Sequence, residues 1–234
     1  MKQLCSLMVT GSSRGLGRAI TEYFLSTGIH VIGCSRHPSD LSHPNYKHFC
    51  LDVSKEIDVK NMFKEASTWG APIGLLINNA GISQNSLSVF TSGQVAADIL
   101  DANLLGNFFV TREALKIMQR KNFGRVINFS SINIPLQSVG SSLYNASKAG
   151  IDAMSKVLVR ECGKTEITIN TIGLSLVENS GMLDGLTPKA IAEKQQGLIK
   201  PGTLTLLEII HAIEFLFSPL AKNITGQTIY FGGA

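Results

Sequence analysis

Charged residues are scarce in this 234-residue chain, at 16% against 44% hydrophobic, which excludes a disordered polymer and leaves material for a large core. There is no block of like charge. The net +4 is mildly basic, but no basic stripe marks a nucleic-acid surface. The four cysteines (Cys5, Cys34, Cys50, Cys162) contain no C-x-x-C pair, and the five histidines no H-E-x-x-H or comparable ligand spacing. No metal site is therefore expected, and the usage fits a reducing compartment. Cys5, Cys34 and Cys50 fall in or beside apolar strand-like runs, where a free thiol acts as a small buried hydrophobe. No apolar run approaches the roughly 20 residues needed to span a bilayer. No amphipathic helix rich in Lys and Arg is visible either. The first residues lead straight into an apolar strand, leaving no room for a signal peptide. The expectation is a soluble cytoplasmic protein with neither a nucleic-acid nor a membrane partner.

What is present is a regular alternation of periods. Residues 4–10, 30–34, 47–52, 74–78, 125–129, 167–171 and 227–231 read as strands. Residues 15–26, 55–69 (capped by Ser54), 92–121 (bent near Gly106), 142–162 and 204–217 read as helices. Residues 174–200 look irregular, with a short helical piece after Pro188. Such alternation predicts an α/β fold: one doubly wound domain over residues 1–234, its mostly parallel sheet covered by helices on both faces. Ligands bind beyond the carboxyl ends of strands in such sheets, and the motifs below follow strands.

The first is Thr10-Gly11-Ser12-Ser13-Arg14-Gly15-Leu16-Gly17. A tight glycine turn that opens a helix offers backbone N–H groups to a pyrophosphate, although an ordinary strand–helix turn would have the same residues. The second is Tyr144 with Lys148 four residues on, a spacing that puts both on one helix face. An ammonium near a phenol favours phenolate and is expected to lower the tyrosine pKa from about 10. Alone, the pair could be a surface tyrosine with an incidental lysine. With a nucleotide loop upstream it reads as an acid/base pair in an oxidoreductase.

The order of these motifs resembles the short-chain dehydrogenase/reductase family, in which T-G-x-x-x-G-x-G, N-N-A-G and Y-x-x-x-K recur. Here they are Thr10–Gly17, Asn78-Asn79-Ala80-Gly81 and Tyr144 to Lys148, joined by Ser131, 13 residues before the tyrosine, and by Asn103. The resemblance extends to Ile224-Thr225-Gly226-Gln227 and Gly232-Gly233, and is nearest to the 3-oxoacyl-carrier-protein reductase-like branch. It implies a Rossmann-type fold and an NAD(P)-dependent enzyme acting on a carbonyl or alcohol. It also implies catalytic Asn103, Ser131, Tyr144 and Lys148, with Ser131 orienting the substrate oxygen and Asn103 anchoring a relay water. Cofactor contacts are implied at Gly11, Ser13, Arg14, Gly15, Leu16, Gly17, Asp52, Val53, Asn79, Ala80, Gly81, Tyr144 and Lys148. A homo-oligomer, tetramer or dimer, through the helices at 92–121 and 142–162 is implied as well.

An NAD-binding site would carry a carboxylate after the second strand, whereas this chain has Cys34-Ser35-Arg36. Arg36 and Arg14 could pair with a 2′-phosphate or simply be solvated, and with the carboxylate missing the reading favours NADP(H) over NAD(H). Asp52 could equally cap a turn. The expected activity is NADPH-dependent reduction of a ketone, with a 3-oxoacyl thioester as one candidate. The alternatives are an alcohol or sugar-hydroxyl dehydrogenase working oxidatively and a non-catalytic NADPH-binding subunit. The substrate is a small molecule, free or carrier-linked, and Arg120, Lys121 and Lys164 are candidates for a carrier-docking patch. The family pattern fails after the sixth strand, where Leu174-Ser175 replaces Pro-Gly and Asn179 stands in place of threonine. The lid expected over residues 174–200 mixes Met182, Leu183 and Leu186 with charged residues and names no substrate.

Overall fold

The apolar runs assemble into one seven-stranded sheet in the computed structural model, which describes residues 5–178, 180 and 187–234. Its strands are β1 (Ser6–Thr10), β2 (Val31–Ser35), β3 (Tyr46–Cys50), β4 (Ile73–Asn78), β5 (Phe123–Ser131), β6 (Glu166–Leu174) and β7 (Thr228–Tyr230). They pair in the order β3-β2-β1-β4-β5-β6-β7, every neighbouring pair parallel. Strand order reverses between β1 and β4, which opens a crevice beyond their carboxyl ends. β1, β2 and β4 are buried along their whole length, which is why they read as continuous apolar runs rather than alternating ones.

The helices are α1 (Gly15–Ser26), α2 (Glu56–Ala66), α3 (Gly93–Leu100), α4 (Gly106–Lys121), α5 (Asn133–Leu136), α6 (Ser142–Cys162), α7 (Pro188–Gln195) and α8 (Leu206–Phe217). Two apolar layers sandwich the sheet. On one face Ile20 and Phe24 of α1 and Ile209, Ile213 and Phe217 of α8 pack on Leu7, Val9, Ile77 and Ile127. On the other, Met62 of α2, Val110 and Met118 of α4 and Leu158 of α6 pack on Met8, Ile32, Leu76 and Val126. Each fully buried Leu or Ile among them contributes about 2 kcal/mol.

Several boundaries differ from expectation for identifiable reasons. β5 and β6 are longer than their apolar centres, paired from Phe123–Glu166 to Ser131–Leu174, because the interior accepts polar residues that find partners for most of their polar atoms, Arg125 Nε being left without one among the described residues. Arg125, only 2% exposed, donates through Nη1 to the carbonyls of Gly124 and Glu166, and Asn128 Nδ2 donates to Ser155 Oγ. The long 92–121 helix is interrupted by a π turn, Asp101–Leu105, which ends against Gly106, where the bend was expected. Ser92 caps α3 by accepting from the Val95 N–H. Ser54 does not cap α2: Lys55 occupies that place, and the Ser54 N–H is held by Asp52 Oδ1. Cys50 is exposed, not buried, because it closes edge strand β3. Arg120, Lys121 and Lys164 lie at the C-terminal ends of α4 and α6, helices that run back across the sheet. They sit at the edge opposite the crevice and do not border this chain's own site.

Candidate active site

The first six strands, β1 to β6, each deliver part of one cavity of about 940 Å³. After β1 comes the glycine turn, in which Gly11 takes φ +72° and a Cβ there would lie 2.8 Å from Asn79 Nδ2. A Cβ on Gly17 would lie 2.2 Å from the Gly11 carbonyl oxygen, so a side chain there would push α1 off the turn. The capping residue before α1 is an arginine, Arg14, which makes no side-chain cap and leaves first-turn N–H groups without an intrahelical carbonyl. Those orphan donors and the absent Cβ atoms form a cradle that suits a phosphate. Gly11, Ser13, Arg14, Gly15, Leu16 and Gly17 all line the cavity.

Arg36, after β2, and Asp52 and Val53, after β3, line its far end. Arg14 and Arg36 are exposed and make no ion pair among the described residues, whereas Arg18 is committed to Glu22 and Asp40. Asp52 spends one carboxylate oxygen on its own turn, as the simpler reading of it supposed.

The Asn78–Gly81 stretch after β4 divides its work. Asn79 Nδ2 donates to the carbonyls of Thr10 and Gly11, and the Asn79 and Ala80 N–H groups both donate to Thr10 Oγ1. Asn78 Nδ2 donates to Thr111 Oγ1 and Asn128 Oδ1. These side chains stitch the strand ends together, while Asn79, Ala80 and Gly81 also line the cavity.

Ser131 closes β5, and Tyr144 and Lys148 come from the first two turns of α6; all three line the cavity. Burial pushes the Tyr144 phenol above its usual 10, and a hydrogen bond with Ser131 offsets part of the rise. That reverses the expected lowering, because desolvation of the phenolate is the largest effect and the Ser131 hydrogen bond offsets only part of it. Lys148 Nζ lies 5.8 Å from the Tyr144 ring centroid and donates to the Phe129 carbonyl at 2.8 Å. Burial lowers the Lys148 pKa to about 8, with Asp152 pulling the other way. Asn103 sits in the π turn, 1% exposed and beneath the cavity rather than in its wall. Its Oδ1 accepts from the Ile82 N–H at 2.7 Å, and its Nδ2 donates to the Ile82 carbonyl and to Ser147 Oγ.

At the departure from the family pattern, Leu174 is the last residue of β6 and its carbonyl accepts from the Ile132 N–H. The next residues are pinned by a parallel bridge between Val177 and Leu204. Leucine has an N–H that proline would lack, and the β5–β6 pairing runs to Ser131–Leu174. Asn179, Met182, Leu183 and Leu186 lie outside the described residues. Sequence reasoning missed Gln84, which lines the cavity at 5% exposure. No local signal distinguishes a buried loop glutamine from a solvated one.

A family model described as short chain dehydrogenase matches residues 6–190. The 3-oxoacyl-acyl-carrier-protein reductase FabG of Rickettsia conorii is 34% identical over 236 residues, covering 97% of this chain and 94% of that protein. The enzyme of the same name from Vibrio cholerae serotype O1 is 30% identical over 237 residues, covering 97% and 95%. Among solved structures, 4-hydroxyisoleucine dehydrogenase complexed with NADH superposes with a TM-score of 0.85 at 26% identity, covering 98% of this chain and 97% of that one.

Proposed function

The chain belongs to the short chain dehydrogenase family, on its 3-oxoacyl-carrier-protein reductase-like branch, and is an NAD(P)-dependent oxidoreductase acting on CH–OH and keto groups; on that premise we propose that it reduces a ketone with NADPH, Tyr144 being the general acid. The observation that carries this reading is the meeting of Ser131, Tyr144 and Lys148 in the wall of the cavity that the glycine turn opens.

The cradle of Gly11 to Gly17, with Val53, Ala80 and Gly81, would hold the dinucleotide, and Arg14 and Arg36 its 2′-phosphate. Two guanidiniums with no ion pair among the described residues, and an arginine rather than a carboxylate directly after β2, support NADPH, since each charge-assisted bond to phosphate is worth about 2 kcal/mol. The bound nicotinamide supplies hydride; the protein's residues manage the proton. A phenol whose pKa is raised stays protonated at neutral pH and can donate to the substrate oxygen, which Ser131 orients. The phenolate left behind faces the Lys148 ammonium, whose charge stabilises it. Asn103 acts through Ile82, fixing the loop over Gly81.

The names of the curated relatives make a 3-oxoacyl thioester the first substrate class to try. The same residues would serve alcohol oxidation in reverse. A binding-only role is disfavoured, because holding a cofactor does not by itself require Ser131 beside Tyr144 in the cavity wall. Four free cysteines support a reducing, cytoplasmic setting. A homo-oligomer is supported by the outer face of α6, where Ala146, Ala149, Ala153 and Val157 are exposed at helical spacing.

The test is NADPH oxidation with a short 3-oxoacyl thioester and a wider ketone panel, run beside Tyr144→Phe. Turnover should fall about 1000-fold in the variant while NADPH binding is retained. An active Tyr144→Phe enzyme would remove the tyrosine from the mechanism.

A further inference from the structure

α6 carries Tyr144 in its first turn, yet its own N-terminal residue gives it no side-chain cap, since Ser141 Oγ donates to the Ser138 carbonyl. The first N–H groups of a helix need an acceptor from elsewhere when they are buried. Here the acceptor comes from a loop some 60 residues upstream. Gln84 Oε1 accepts from the Leu143 N–H at 3.0 Å and from the Tyr144 N–H at 3.3 Å. The amide cannot easily swing away, because Nε2 donates to Thr91 Oγ1 at 3.0 Å and to the Ser86 carbonyl at 3.3 Å. Both donors and the acceptor oxygen of this side chain are in use.

The same loop is fastened one turn further along α6. The Asn103 clamp on Ile82 reaches Ser147 Oγ at 3.0 Å, and Ser147 Oγ donates to the Tyr144 carbonyl at 2.7 Å. Tyr144 thus has its N–H held by Gln84 and its carbonyl held through Ser147 and Asn103. The first restraint comes from the strand-end loop that carries the cofactor-lining residues Ala80 and Gly81, and the second from the π turn, whose Asn103 also holds that loop at Ile82. From these contacts we infer that Gln84 is a positioning residue for Tyr144: it fixes the backbone, and with it the phenol, relative to the nicotinamide half of the cavity. The inference rests on the proposed role of Tyr144.

Gln84→Ala removes the acceptor. Gln84→Glu keeps an acceptor at the helix N-terminus but loses the donor to Thr91 and brings a negative charge close to Tyr144, which disfavours phenolate. Two readouts separate positioning from mere folding. The first is phenolate absorbance against pH, taken as the difference from the same background with Tyr144→Phe, which needs no substrate. The second is steady-state NADPH oxidation. Gln84→Ala should lower kcat about tenfold, the loss of one to two kcal/mol of helix-end hydrogen bonding. The KM for NADPH should stay within about twofold, because kcat alone depends on where the phenol stands. Gln84→Glu should move the Tyr144 titration to higher pH. If Gln84→Ala does not fold, Gln84→Glu carries the test alone through that titration. Wild-type kcat and an unmoved Tyr144 titration in the folded variants would overturn the inference, whatever happens to Tm. If Tyr144→Phe remains active, it is the catalytic reading that fails. If Tyr144→Phe is dead and both Gln84 variants behave as wild type, only the role of Gln84 falls.

Discussion

Tyr144 and Lys148 are each governed by a balance between burial and their partners, and in both burial wins. Tyr144 was expected to be acidified by Lys148; burial instead raises it, and the group is better suited to giving a proton than to holding a negative charge at rest. At the other end Arg14 and Arg36 remain solvated, so their charge is available to a ligand. Arg36→Ala should raise the KM for NADPH about tenfold or more and leave that for NADH nearly unchanged, as loss of one charge-assisted contact to phosphate requires. Initial-rate measurements with both cofactors decide it; an equal effect on the two would mean that Arg36 does not read the 2′-phosphate.

At the scale of elements, the informative pair is α6 against β5. Lys148 lies on α6 with its ammonium against the Phe129 carbonyl, 6% exposed. Its folded pKa is about 8 against 10.5 for a free lysine, so the unfolded chain holds the proton more tightly. The sign follows: below pH 8 the buried charge costs stability, about 3 kcal/mol, and the cost disappears as pH rises toward 10.5. Lys148→Met should therefore abolish turnover yet stabilise the fold at pH 7, offset by about 1 kcal/mol for the lost hydrogen bond. A net gain of about 2 kcal/mol corresponds to a Tm rise of roughly 5 °C. Thermal unfolding should show that gain at pH 7 and its loss near pH 10.5. A variant less stable than wild type at pH 7 would show that the lysine's bonds outweigh its desolvation.

For the whole molecule, the sheet gathers the chemistry at one edge and leaves the outer helices to face solvent or another copy. Val157 is 55% exposed on α6 and Leu105 is 44% exposed in the neighbouring π turn, both outside the cavity. If these faces meet in an oligomer, Val157→Glu places like charges together in its interface. Sedimentation should then show a smaller species than wild type, with the fold intact by circular dichroism. An unchanged mass would move the interface elsewhere or remove it.

The seven strands, the parallel sheet, and the positions of the glycine turn and of Tyr144 and Lys148 could all be read from the chain alone. They rest on local signals: apolar runs, glycine where backbone approaches backbone, and residues four apart on one helix. The extra length of β5 and β6, the π turn beneath the cavity and the partners of Gln84 and Asn103 could not be read that way. Each depends on bonds between residues far apart in sequence, such as Gln84 with Tyr144 or Arg125 with Glu166. The direction of the Tyr144 shift was likewise decided only by packing, because spacing reports which charges are near and burial decides how much water remains to solvate them.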